Sequence, residues 1–189
     1  ANARHFEDQK GQPFLVQGDT AWSLPAQLTL DEATFYLGRR KAQGFNAVLI
    51  TLVERKFSDH PPRNSEGVEP FAVPGDFSRP NEPYFAHVDA LLRAANRQNM
   101  LVFVTPAYLG WKGGDEGWFQ QLVRLGPEKV RRYGRFVGSR YKDFAHIVWV
   151  LGGDFTPPWR FRWIVDALAN GIREGGGRQL MTAHCGQES

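Results

Sequence analysis

One cysteine, Cys185, stands among 189 residues. No disulfide can form within the chain, which excludes a disulfide-stapled fold and leaves the compartment open. No stretch approaches the roughly 20 apolar residues of a membrane-spanning helix. Residues 1–12 are polar and show no signal-peptide pattern, though a cleaved leader would leave no trace. The net charge of +3 is the difference of 23 basic and 20 acidic residues. No dense Lys/Arg run marks a nucleic-acid or membrane surface. The histidines (5, 60, 87, 146 and 184) lack the pairing that metal-ligand spacing requires, so no metal is expected. The chain contains no G-x-G-x-x-G, no G-x-x-x-x-G-K-[ST] and no G-x-S-x-G. Dinucleotide, P-loop and serine-hydrolase chemistry therefore drop out. The Gly-rich stretch 110–117 places Trp111 and Asp115 where a phosphate cradle needs small side chains. No cofactor is expected.

Aromatic residues are plentiful: six Trp, five Tyr and fourteen Phe. Most serve a core, but some could offer flat faces to a ligand. Strand-like and helix-like segments alternate along the chain. Residues 1–12 read as an N-terminal arm. Pro13 introduces the apolar run 14–16, a first strand that ends at Gly18-Asp19-Thr20. Thr29 and Glu32 have capping-box spacing, with Leu30, Ala33 and Leu37 on one helical face and Gly44 as the stop. Residues 47–53 form a buried strand. Residues 54–83 hold six prolines and form a long loop, usually a functional feature in a compact domain. Phe85, Val88, Leu92 and Ala95 stripe the next helix, and 101–104 is a third strand. Pro127 suits the first turn of a helix whose stripe is Val130, Tyr133, Val137, Tyr141 and Phe144. Residues 147–151 make the fourth strand, ending in Gly152-Gly153-Asp154. A helix follows that carries Phe161, Ile164, Val165, Leu168 and Ile172. Residues 180–183 make a fifth strand leading to His184.

Five strands alternating with helices imply an α/β fold with a parallel sheet and right-handed crossovers. Length favours an open sheet, since a complete (β/α)₈ TIM-type barrel takes about 250 residues. The loops favour the barrel. Asp19, Glu54, Tyr108, Asp154 and His184 each follow a strand, and only a barrel rim gathers residues from all five strand ends. The expectation is a partial barrel of about five βα units, the N-terminal portion of a catalytic domain spanning 13–189.

Asp154 is the first candidate for catalysis. Two glycines before it leave room for close approach, and a carboxyl against apolar walls is suited to donate a proton. A turn-and-cap role competes, but Pro157 and Pro158 delay the following helix. Asp19 could accept hydrogen bonds from sugar hydroxyls beside the Trp22 ring, or cap a turn. Glu54 is either a substrate contact or half of a surface ion pair with Arg55 or Lys56. Tyr108 and Trp111 could stack on a sugar, whereas Trp118 reads as loop packing. His184 would bond substrate or a catalytic carboxylate, or simply be satisfied within the rim.

Gly18-Asp-Thr-Ala-Trp22, Lys41-Ala-Gln-Gly-Phe-Asn46, Tyr84-Phe-Ala-His-Val-Asp89, Trp149-Val-Leu-Gly-Gly-Asp154 and Met181-Thr-Ala-His184 together resemble the apiosidase-like glycoside hydrolases. The resemblance runs from about residue 12 to the end. It implies a (β/α)₈ barrel and a retaining hydrolase of plant cell-wall polysaccharide, with apiose-containing pectin side chains as one such substrate. It implies that Asp154, after the fourth strand, is the acid/base and that Asp19, Trp22 and His184 line the sugar pocket. It also implies a nucleophilic Glu after a seventh strand, which five strands do not include. Glu54 and Glu188 are the spare carboxylates, and neither holds that position. Unpaired apolar sheet edges would be an aggregation hazard, so a truncated barrel is expected over a new five-strand enzyme or a barrel closed by two copies. The expected partner is carbohydrate, with no nucleic acid and no membrane, and the expected location is secreted or periplasmic. The alternatives are a carbohydrate-binding but inactive fragment, or a lyase or isomerase of sugar acids using Lys112 or Arg55.

Overall fold

A computed structural model of the chain describes residues 6–8 and 10–186. Two short strands, β1 (Phe6–Glu7) and β2 (Pro13–Phe14), pair antiparallel. The main sheet holds β3 (Gly18–Thr20), β4 (Ala47–Thr51), β5 (Leu101–Thr105), β6 (Ile147–Gly152) and β7 (Met181–His184), all parallel and in sequence order. The helices are α1 (Leu24–Gln27), α2 (Leu30–Ala42), α3 (Glu82–Arg97), α4 (Phe119–Tyr141) and α5 (Trp163–Glu174). The capping box forms as expected: Thr29 accepts from the Glu32 amide, and the Glu32 carboxylate accepts from the Thr29 amide.

The first strand lies later than the apolar run suggested. The extended pairing with β4 uses residues 18–20, while Leu15 is 82% exposed. Asn46 decides this: it accepts from the Gln17 amide and donates to the Leu15 carbonyl, fixing where the chain enters the sheet. The proposed arm boundary at 12/13 therefore falls inside a hairpin. A second difference concerns α4, which starts at Phe119 rather than at Pro127. Gly126, at φ 78°, breaks it, so Pro127 opens a second helical segment instead of the whole helix.

One face of the sheet carries Val48, Ile50, Val102, Val104, Trp149 and Leu151, all buried in the hydrophobic core. The helices cover this side, with Trp149, Tyr84, Tyr133 and Tyr141 as its largest members. The α4–α5 crossing is unusually close. A Cβ at Gly138 would lie 2.3 Å from the Ile172 carbonyl oxygen, and one at Gly171 would lie 2.3 Å from that of Arg131. The opposite face of the sheet is the inner wall of a partial barrel. Thr20, Leu49, Phe103, Val150 and Thr182 line an open concavity of about 330 Å³ there.

The long loop is ordered by aromatic packing. Phe77 meets Tyr133 at 4.9 Å and Trp118 at 5.1 Å, both edge-on. Trp118 is 3% exposed and its ring N–H donates to the Val53 carbonyl, the packing role expected of it.

Candidate active site

The C-terminal ends of the parallel strands gather one cluster. Asp154 lies two residues beyond β6, with a left-handed backbone at φ 44°. The Tyr108 hydroxyl donates to its Oδ2 at 2.8 Å, and His184 Nε2 stands 2.9 Å from its Oδ1. Trp22 joins from the end of β3: its ring is 5.3 Å from Tyr108 and lies nearly parallel to His184 at 6.0 Å. Burial, and then the hydrogen bond to Asp154, raise the Tyr108 phenol well above its ordinary pKa. It therefore remains a donor at neutral pH.

Two features expected at Asp154 differ in the structure. The side chain is 45% exposed and faces polar partners rather than apolar walls. The preceding glycines do not open space for substrate either. A Cβ at Gly153 would sit 2.2 Å from Tyr108 Cδ2, and one at Gly152 would sit 2.6 Å from the His184 carbonyl oxygen. The structure fills both positions itself. The turn-and-cap alternative also falls away, because both carboxylate oxygens point to Tyr108 and His184.

In front of Asp154 opens a cleft of about 830 Å³ lined by Trp111, Lys112, Phe155, Arg162, His184 and Cys185. Trp111 is 61% exposed, with the Lys112 ammonium 4.5 Å from its ring centre. Among the described residues no group of three or more His, Cys, Asp or Glu is arranged to hold a metal ion.

Asp19 and Glu54 have their carboxylates bonded to other partners than Tyr108, His184 and Asp154. Asp19 lies within β3, one residue out of phase with the inner face. Its carboxylate turns to the helix side and meets the Tyr36 hydroxyl and Arg40 of α2. Glu54 forms no surface ion pair. It is 3% exposed, accepts from the amides of Arg55, Lys56 and Phe57, and accepts from the Ser23 hydroxyl at 2.5 Å. It organises the turn that starts the long loop. Lys56 bonds Asp115 instead, and Arg55 donates to the Asp115 carbonyl while stacking over Trp118. Glu188 lies outside the described residues. Sequence reasoning missed Phe57, whose ring is 6.5 Å from Tyr108, and gave Phe155 and Arg162 no place at the cleft. It also missed Tyr36 and Arg40, although their i, i+4 spacing on α2 signals a shared face.

Comparison with known proteins fits this geometry. A solved structure described as a glycoside hydrolase superposes with a TM-score of 0.78 at 26% identity, over 97% of this chain and 39% of its own. A glycoside hydrolase family 5 protein from Bacteroides vulgatus ATCC 8482 gives 0.78 at 27% identity, over 97% and 37%. The exo-beta-1,4-mannosidase Op5Man5 from Opitutaceae bacterium strain TAV5 shares the fold, with a TM-score of 0.69 at 19% identity, over 98% and 34%. The chain thus spans well under half the length of these proteins, as a partial barrel does. No curated protein sequence matches it. The description of the apiosidase-like catalytic domain matches residues 1–189, and the chain belongs to that family.

Proposed function

We propose that the chain carries the proton-transfer half of a glycoside hydrolase active site, with Asp154 as general acid/base. The observation behind this reading is the placement of Asp154. It is a half-exposed carboxyl just past the fourth parallel strand, opening on a cleft of about 830 Å³. Its proton passes to the glycosidic oxygen as the bond to the anomeric carbon breaks. The resulting carboxylate then takes a proton from the incoming water. Trp22, Trp111 and His184 supply sugar contacts, the exposed Trp111 face being the one most open to stacking.

A retaining course needs a second carboxyl about 5 Å from the first. Asp19 and Glu54 have theirs engaged elsewhere. The nucleophile is therefore proposed to be a Glu following a seventh strand, in the part of the barrel that the longer relatives include. Family membership supports a plant cell-wall polysaccharide as substrate, apiose-bearing pectin side chains among them. Such a substrate places the enzyme in a secreted or periplasmic setting.

The test is sugar release from a panel of pectic and hemicellulosic polysaccharides, comparing the parent with Asp154→Asn in the chain and in the chain extended by the rest of the barrel. Release by the parent and loss in the variant is the expected result. Undiminished release by the variant overturns the acid/base role. Binding without release by every form would favour a carbohydrate-binding role instead. Action confined to uronic-acid substrates would favour a lyase or isomerase.

A further inference from the structure

We infer that Tyr108 is a positioning residue that fixes which oxygen of Asp154 carries the proton. The inference rests on the acid/base reading of Asp154 and deepens it. The two carboxyl oxygens meet different partners. Oδ2 receives the Tyr108 hydroxyl at 2.8 Å, while Oδ1 faces His184 Nε2 at 2.9 Å. A phenol that keeps its proton donates to an unprotonated oxygen, so the acid's proton resides on Oδ1, with His184 Nε2 as the unprotonated ring nitrogen that accepts from it. Oδ1 is also the oxygen beside His184, whose ring lines the cleft together with Asp154.

The backbone is built to hold Tyr108 in this place. A Cβ at Gly153 would overlap the ring at 2.2 Å, so only glycine leaves it a seat, and Gly153 adopts φ 123°. The Leu109 amide donates to the Gly152 carbonyl at 3.1 Å, and the Gly153 amide donates to the His184 carbonyl at 2.8 Å. These bonds tie together the loops after β5 and β6 and the end of β7. Trp22 and Phe57 pack against the same ring from the loops after β3 and β4. Tyr108 thus touches residues from three other strand ends, and Asp154 accepts from it at φ 44°, in the left-handed region that aspartate adopts more readily than most residues. Gly152-Gly153-Asp154 is then a seat for Tyr108 rather than an opening for substrate. The charged and titratable groups around Asp154 are Tyr108, His184, Lys112, Arg162 and Cys185, with Glu116 and Glu54 acting on Tyr108 from farther away.

Tyr108→Phe keeps the ring and removes only the donor. In the active protein, kcat is expected to fall about tenfold at unchanged KM and unchanged Tm. Gly153→Ala, which displaces the ring, should lower kcat in the same way. An unchanged kcat in Tyr108→Phe overturns the inference, and so does a rise in KM alone, which marks a sugar contact. The acid/base reading fails separately: full sugar release by Asp154→Asn refutes it.

Discussion

Asp19 and Asp154 have nearly the same company and opposite settings. Each carboxylate meets a tyrosine hydroxyl and a nitrogen-bearing side chain: Tyr36 with Arg40 in one case, Tyr108 with His184 in the other. Asp19 lies within its strand and turns to the helix layer, where the bonds pin α2 to the sheet. Asp154 lies two residues past its strand, and a left-handed backbone turns it to the cleft. Partner chemistry does not separate the structural Asp19 from the proposed acid/base Asp154. Position relative to the strand end does, because side chains alternate between faces inside a strand and are released from that alternation beyond it.

The sharpest way to break the comparison is at Asp154. Asp154→Asn should lower sugar release by about 10²- to 10⁴-fold, the usual contribution of a positioned acid/base, with the thermal midpoint nearly unchanged. A comparable loss of Tm would mean that Asp154 holds the fold, as Asp19 does. On the helix side the largest effect is expected at the glycine crossing. Gly138→Ala places a methyl 2.3 Å from the Ile172 carbonyl oxygen, and urea unfolding should show a loss of about 1–3 kcal/mol. An unchanged midpoint would show that α4 and α5 can separate at no cost. Asp19→Asn should lower Tm by a few degrees; an unchanged Tm would show that its bonds to Tyr36 and Arg40 do not hold α2 to the sheet. The smallest effect concerns acid. The Ser78 hydrogen bond, with Lys129 beside it, holds Asp76 below its ordinary value of 3.8, and Arg140 holds Glu82 below 4.5. A depressed folded value gives stability that is present above the ordinary pKa and lost as pH falls through the folded one. Asp76→Asn should therefore flatten the decline in urea stability below about pH 4. An equally steep decline would show that other carboxylates carry it.

The α2 capping box, the α3 stripe and the β6 strand were legible because each is a local pattern. The Thr29 and Glu32 spacing satisfies helix-end amides from within four residues, and the six residues of β6 are all buried, as an unbroken apolar run requires. The start of β3 was not legible. The run 14–16 is more apolar than 18–20, and the decision belongs to Asn46, about thirty residues away. Glu54 was misjudged for a related reason: its neighbours Arg55 and Lys56 suggested ion pairs, but backbone amides and Ser23 reached it first.

The sequence by itself determined the alternation of strands and helices, the parallel sheet, and a carboxyl at the end of the fourth strand. Those follow from hydrophobic period and turn chemistry, which act over a few residues. Only the tertiary structure decided that Asp19 faces α2, that Glu54 closes a turn, and that Tyr108 and His184 divide the two oxygens of Asp154 between them. Those outcomes depend on strand register and on contacts between residues 30 or more positions apart, and register fixes which face of the sheet a side chain meets.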